Sequence, residues 1–219
     1  MRKEFDNQLS DLRWQVIKMG EASQEALSSA LKSIETGDKE LAQKVVREDR
    51  AINQRERDIE SAALKIMLTQ QPVAQDLMLV SGVIRLVSDI ERIGDQAANI
   101  AEIVASLGQK IEGAYAEALQ SMGTHASNMV SRAVSSLLQH DTKGAQEVID
   151  ADETVDTDFV RIKGLVIDDI SANAATAGEE VFDVVMIAKY LERIADHAVN
   201  IAEYVGYMET GEYKGQLII

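Results

Sequence analysis

Two stretches of the chain carry carboxylates at a spacing that could bind a cation. The first contains Glu91, Asp95, Asn99 and Glu102. The second repeats the same residue types as Glu192, Asp196, Asn200 and Glu203. On a helix, each set falls within an arc of about 80°. Like charges four residues apart destabilise a helix unless something lies between them. The repetition therefore weighs against the alternative, an ordinary solvated face, which stays open.

A second pair of acidic positions lies where apolar residues are expected. The apolar seam of one predicted helix contains Val45, Asp49, Ile52, Glu56, Ile59, Ala63 and Ile66. Asp152 lies in the same register between Val148 and Val155, and Asn53 and Asp156 follow one turn after the two aspartates. A carboxylate at a helical seam is costly unless it is paired or binds a cation. A salt bridge to a nearby arginine is the structural alternative to a metal.

Together these positions form four pairs with only oxygen ligands. The predicted metal ligands are Asp49, Asn53, Glu91 and Asp95 in one half of the chain, and Asp152, Asp156, Glu192 and Asp196 in the other. Oxygen ligands suit Mg, Mn, Fe or Zn ions, and bridging carboxylates could hold more than one ion. Because Asn53 adds no charge, we expect the second site to retain its metal longer than the first.

The surrounding sequence predicts long helices. Hydrophobic residues make up 46% of the 219 residues and aromatic residues only 4%, with a single proline. This composition favours helices over sheets. Glycine, proline and acidic caps divide the chain into six predicted helices, at 4–36, 38–70, 73–107, 114–139, 141–176 and 179–209.

The helices form an internal repeat. The motif beginning at Asp89 recurs 101 residues later at Tyr190, and the preceding helices repeat at an offset of 103 residues. The third helix of each unit has apolar residues at alternating steps of three and four, which is typical of left-handed bundles. We therefore predict an all-α fold of two tandem three-helix bundles packed with pseudo-two-fold symmetry. The expected units are 1–110 and 111–219.

Several classes of function are excluded or disfavoured. The formal net charge of −15 opposes nucleic-acid binding, and the chain contains no cysteine. No P-loop or nucleophile–base pattern is present, so an enzyme is not expected. The longest apolar cluster, Leu77 to Ile84, is far shorter than the ~20 residues that span a bilayer. No signal-peptide pattern precedes Trp14. We expect no direct membrane insertion.

The two copies share the pattern Glu-Arg-Ile-(Gly/Ala)-Asp-x-Ala-x-Asn-Ile-Ala-Glu. This doubled motif closely resembles that of the PhoU family of phosphate-signalling regulators. The tandem organisation and the length match over essentially the whole chain. The resemblance implies that the four acidic pairs bind multinuclear clusters of divalent or trivalent ions, with iron or zinc most expected. Asn53 departs from the acidic pattern of the family.

The same resemblance implies a cytoplasmic negative regulator of phosphate uptake and of the phosphate-starvation response. The implied partners are the PstB-like ATPase of the phosphate ABC transporter and a PhoR-like membrane sensor histidine kinase, through which the chain would be peripheral to the membrane. A homodimer is also expected.

Two other functions remain open. One is a carboxylate-bridged metalloprotein with an oxidase or metal-storage role. Di-iron bundles use Glu-x-x-His pairs, and no histidine here follows a glutamate by three residues. The other is a purely structural helical scaffold whose acidic faces serve only solvation.

Overall fold

The computed structural model describes residues 2–172, 178–213 and 216–217. These form six helices: α1 Arg2–Thr36, α2 Lys39–Gln70, α3 Gln75–Ser106, α4 Gly113–Gln139, α5 Thr142–Ala172 and α6 Glu179–Thr210. Two short antiparallel strands follow, β1 Glu212–Tyr213 and β2 Gln216–Leu217. The all-α prediction is confirmed. The strands were not predicted, since two-residue strands leave no periodic signal in a sequence.

The turn between α1 and α2 follows directly from local sequence. Gly37 adopts a positive φ of 70°, a conformation that glycine reaches without steric cost. The side chain of Asp38 then caps α2 by accepting hydrogen bonds from the backbone N–H groups of Glu40 and Leu41, each at 3.0 Å. The prediction of this boundary is confirmed within one residue.

The predicted helix boundaries agree less closely with the structure where the chain turns without a glycine. Helix α3 begins at Gln75 rather than at the predicted residue 73. The backbone φ of Ala74 is 51°, outside the helical region, so the helix starts only after it. The predicted end of the fifth helix included residues 173–176, which lie outside the described residues.

The core follows the predicted apolar seams. In α3 every seam residue is buried, namely Val83, Leu86, Ile90, Ile93, Ala97, Ile100, Val104 and Leu107, the last of these just past the end of the helix. In α6 all of them are buried except Met208, which is partly buried against the core. Along α2 the apolar seam positions are buried, while Asp49 and Glu56 are half-buried. The two acids thus lie at the edge of the core.

The six helices are arranged with four in the centre and two at the edges. Helices α1, α3, α6 and α4 pack in a ring, each on the next, while α2 packs on α1 and α3, and α5 packs on α4 and α6. Helices α3 and α6 run antiparallel, because the start of α3 at Gly82 meets the end of α6 at Met208. The α1–α3 and α4–α6 units therefore face each other as the predicted repeats. Their boundary at residue 110/111 stays a prediction and falls between α3 and α4.

No helix among the described residues is long and apolar enough to cross a membrane.

Candidate metal centre

The first group of acids lies between α2 and α3, where the two helices approach closely. A Cβ atom placed on Gly94 of α3 would lie 2.9 Å from Ile52 Cδ1 and 3.6 Å from Asp49 Oδ1. The missing side chain therefore lets α2 pack tightly and directs Asp49 toward α3. We call Asp49, Asn53, Glu91 and Asp95 the repeat-one cluster.

Asp49 and Asn53 interact with each other along α2. The Asn53 Nδ2 atom donates a hydrogen bond of 2.8 Å to Asp49 Oδ2. The remaining oxygens, Asp49 Oδ1 and Asn53 Oδ1, are buried without a hydrogen-bond partner among the described residues. Buried polar oxygens without partners are costly. They are the kind of atoms that a cation would satisfy.

On α3, Glu91 and Asp95 face the same region but differ in exposure. The side chain of Glu91 is 13% exposed and that of Asp95 is 38% exposed. Arg92 lies 3.5 Å from Glu91 and 3.8 Å from Asp95, and is itself half-exposed. Arg92 thus offsets part of the negative charge of Glu91 and Asp95. Because it does so from the solvent side, these ion pairs contribute little to stability.

The electrostatics of the repeat-one cluster disfavour its charged form. Burial raises the pKa of Asp49 above its ordinary value, and the nearby charge of Asp95 raises it further. Burial also raises the pKa of Glu91, with a second contribution from Glu56. Both shifts arise because carboxylates are brought together with little solvent. A cation between α2 and α3 would reverse this penalty.

The repeat-two cluster, Asp152, Asp156, Glu192 and Asp196, lies at the corresponding place between α5 and α6. Burial raises the pKa of Asp152, and the charges of Asp156, Asp196 and Glu192 add to the shift. Partial desolvation raises the pKa of Asp196, followed by the charge of Glu192. Asp156 and Asp196 still reach solvent. The four acids are thus electrostatic neighbours, as the sequence predicts.

The two clusters are not closed metal-binding cages. Within the residues that the structure describes, no three His, Cys, Asp or Glu side chains converge as a group that could hold a metal ion. The oxygen donors are suitable for hard or intermediate cations. Their side chains would have to rotate inward to coordinate one.

Two neighbouring residues were missed as site residues by the sequence analysis. Glu56 influences Glu91 electrostatically and is hydrogen-bonded with Ser88. It could have been recognised from its acidic side chain at a seam position. In the second repeat, Lys189 forms an ion pair with Glu192 and lies 5.6 Å from the ring centroid of Phe159. This lysine has no counterpart in the first motif, so repetition gave no signal for it.

The three histidines are engaged elsewhere. His125 contacts Asp158 at 2.7 Å, and His140 contacts Glu209 at 2.6 Å. His197 follows Asp196 in sequence but points across the repeat junction, where its Nδ1 atom lies 2.8 Å from Asp89 Oδ1. Each histidine thus contacts a carboxylate outside the two clusters.

Comparison with known proteins identifies relatives along nearly the whole chain. The PhoU domain model matches twice, at residues 16–104 and 119–205. A Streptococcus pneumoniae protein described as a phosphate-specific transport system accessory protein PhoU homolog is 31% identical over 97% of this chain and 98% of its own. A Pseudomonas aeruginosa protein with the same description is 32% identical, covering 95% of this chain and 86% of the relative.

Solved structures agree with these matches. The crystal structure of PhoU from Pseudomonas aeruginosa superimposes with a TM-score of 0.90 at 31% identity, covering 95% of this chain and 100% of the other. The phosphate transport system regulatory protein PhoU from Streptococcus pneumoniae gives a TM-score of 0.88 at 29% identity, covering 95% and 98%.

Proposed function

The chain belongs to the PhoU family, and on this premise we propose that it is a negative regulator of phosphate uptake and of the phosphate-starvation response. Its relatives are described as accessory proteins of phosphate-specific transport. A role in regulating phosphate transport, as an accessory protein and not an enzyme, is therefore the coarse assignment. The observation that carries it is the PhoU domain match in both repeats.

The regulator would act by protein contact. Its proposed partners are the PstB-like ATPase of the phosphate ABC transporter and a PhoR-like sensor histidine kinase, met from the cytoplasmic side of the membrane. Several large apolar side chains are available for such contacts, including Leu68 at 80% exposure and Phe182 at 66%. Exposed aromatic and aliphatic side chains of this kind commonly anchor interfaces. A homodimer forms part of the proposal.

The repeat-one and repeat-two clusters are proposed to bind metal ions, divalent or trivalent, with iron or zinc favoured and more than one ion possible at each. Asp49, Asn53, Glu91 and Asp95 would hold the first site, and Asp152, Asp156, Glu192 and Asp196 the second. A bound cation would supply the positive charge that the facing carboxylates lack. The raised pKa values of Asp49 and Asp152, together with the buried oxygens of Asp49 and Asn53, support this proposal.

The histidine positions argue against a di-iron oxidase. Ferritin-like di-iron sites use a histidine from each of two helices together with glutamates. His125, His140 and His197 each contact a carboxylate outside the clusters. An oxygen-consumption assay on iron-loaded protein separates the two functions, because only the oxidase would consume oxygen at a catalytic rate.

Deletion of the gene tests the regulatory function. In rich phosphate, the deletion strain should express a phosphate-starvation reporter and take up more phosphate than the wild type. Pull-down from cells grown in high and low phosphate should recover the transporter ATPase and the kinase. A reporter that stays repressed in the deletion strain would contradict the proposal, whatever the metal content of the protein.

A further inference from the structure

The outward face of α5 carries an apolar patch that no other helix covers. Val160 and Ile167 are 66% and 53% exposed, and Gly164 lies between them on the same face. At 100° per residue, the three positions fall within an arc of about 60°. We call these three residues the α5 patch. Single exposed aliphatic residues are ordinary, but two of them framing a glycine form a shallow notch.

No described residue occupies the space where a side chain on Gly164 would lie. A Cβ atom placed on it would meet no heavy atom within 4 Å. Glycine in the middle of a helix is unfavourable relative to alanine, so its presence calls for a reason outside the fold. The distance between packed helices depends on the side chains at their contact. A glycine at this position would allow a second helix to approach closely.

Two charged residues border the patch on one side. Arg161 and Asp168 are exposed and seven residues apart, which places them two turns apart on the same side of α5. Neither forms a hydrogen bond or an ion pair with any described residue. Arg161 is therefore a free cation on a chain whose net charge is −15.

The spacing of this pair makes the face complementary to itself. In a two-fold symmetric antiparallel pair centred between residues 164 and 165, residue 161 of one helix lies opposite residue 168 of the other. Arg161 then faces the partner's Asp168, and Asp168 faces the partner's Arg161. Reciprocity of this kind is the property of an isologous interface. In this register Val160 lies opposite the partner's Asp169, two residues or about 3 Å along the helix axis from the partner's Ile167.

We propose that the outward face of α5 is the surface through which two copies of this chain form a two-fold symmetric dimer, with α5 packed antiparallel against its partner. This assigns a surface to the homodimer of the proposed function and rests on that part of it alone. A contact centred on one helix buries less than the roughly 800 Å² per partner of a standard interface. The dimer is accordingly weak and depends on protein concentration.

Helix α2 offers a matched control. Its residues 103 positions earlier include Asp58 and Lys65, again seven apart and exposed but with the charges exchanged. The equivalents of Val160 and Gly164 there are Arg57 and Ser61. Helix α2 thus has the reciprocal charges without the glycine notch or the second aliphatic residue.

The test is sedimentation velocity over a wide concentration range, on the full chain. The wild type should pass from monomer to dimer. Arg161→Asp and Asp168→Arg should each remain monomeric, because each places like charges opposite one another at both contacts. An equal mixture of the two variants should dimerise again, and so should the doubly exchanged chain. This rescue by mixing is specific to a reciprocal two-fold contact.

Gly164→Gln provides a variant that leaves the fold intact. It should retain the helical circular dichroism of the wild type, since the position is open, yet it should block the dimer. Asp58→Lys and Lys65→Asp on α2 should not alter dimerisation. A wild type that is monomeric throughout, single α5 variants that dimerise like the wild type, a mixture that stays monomeric, or a dimer lost only through the α2 variants would each overturn the proposal. All these variants leave the metal ligands unchanged, so the outcome is separate from that of the metal proposal.

Discussion

The two repeats carry the same acidic motif in different surroundings. In repeat one, Asn53 donates a hydrogen bond to Asp49, and Glu56 adds a negative charge near Glu91. In repeat two, Asp156 takes the place of Asn53, and Phe159 replaces Glu56. Phe159 instead lies against Lys189, which pairs with Glu192. The repeated motif therefore determines the positions of the candidate metal-binding side chains but not the charge of the residues around them.

This comparison changes the expected difference in metal affinity between the two clusters. Counting only the motif residues gives repeat one three acids and repeat two four. Glu56 adds a fourth acid near the repeat-one cluster, while Lys189 offsets one charge in repeat two. The difference in metal retention predicted from the motif should consequently be smaller than the motif count implies.

The largest expected effect comes from neutralising one cluster at a time. Glu91→Gln with Asp95→Asn should abolish metal binding in repeat one, and Glu192→Gln with Asp196→Asn should abolish it in repeat two. Each double variant should keep its helical circular dichroism, because the apolar seams are untouched. Metal analysis after purification without chelator gives the readout. A variant that empties both sites would mean that ligands are shared between repeats.

Lys189→Met should tighten metal binding in repeat two. Removing this half-exposed positive charge beside Glu192 should increase affinity by roughly two- to fivefold, the range that a solvent-screened ion pair allows. Competition with a chelator measures the change, and Lys143→Met, on the exposed start of α5, is the control for loss of charge alone. Equal affinities of the wild type and Lys189→Met would show that this lysine does not compete with the ion.

Asn53→Asp should strengthen the repeat-one site by a smaller factor. The change adds an anionic ligand but removes the hydrogen bond that Asn53 donates to Asp49. Without metal, the added like charge four residues from Asp49 should lower the thermal midpoint. Chelator titration and melting curves with and without metal test both parts. A variant destabilised equally in both conditions would show that residue 53 does not face the ion.

The metal-free protein should become more stable as the pH falls from neutral through the raised pKa values of its clustered carboxyl groups. The pKa values of Asp49, Glu91, Asp152 and Asp196 are raised in the folded state, mainly by burial. The folded state thus holds these protons more tightly than the unfolded state. This stabilising contribution is present at low pH and is lost as the pH rises through the folded pKa values. Thermal melting across pH should give a flatter profile for Asp152→Asn with Asp196→Asn, but not for the exposed Asp150→Asn.

The smallest expected effect concerns the packing difference at Gly94 and its counterpart Ala195. Gly94→Ala gains helix propensity of about 1 kcal/mol, which the close approach of Ile52 Cδ1 should largely offset. The free energy of unfolding should change by less than about 1 kcal/mol. Ala195→Gly, at a fully buried position, should cost at least about 1 kcal/mol. Urea titration compares the two. A large loss in Gly94→Ala would mean that Ile52 has no room to move.

Much of the fold could be predicted from the sequence because its signals are periodic. The seams of α3 and α6 gave the buried faces, and glycine or a capping aspartate gave most boundaries. The predicted start of α3 was two residues too early. The backbone of Ala74 has a positive φ, which the sequence gives no reason to expect at an alanine. The acidic clusters were predicted as neighbours, since both helices repeat them in register. The roles of Glu56 and Lys189 depend on contacts between helices, which one repeat does not share with the other.

The junction between the repeats restricts how they can move. A single oxygen, Asp89 Oδ1, lies 2.8 Å from Nδ1 of His197 and accepts a 2.9 Å hydrogen bond from Asn200. The two α6 residues stand nearly one turn apart, so a slide of α3 by one residue, about 1.5 Å, would lengthen at least one of the two contacts. Ser81 and Tyr207, whose hydroxyl oxygens lie 3.3 Å apart, join the same two helices at a second point, so the repeats should resist both sliding and tilting and should transmit a force as one rigid unit.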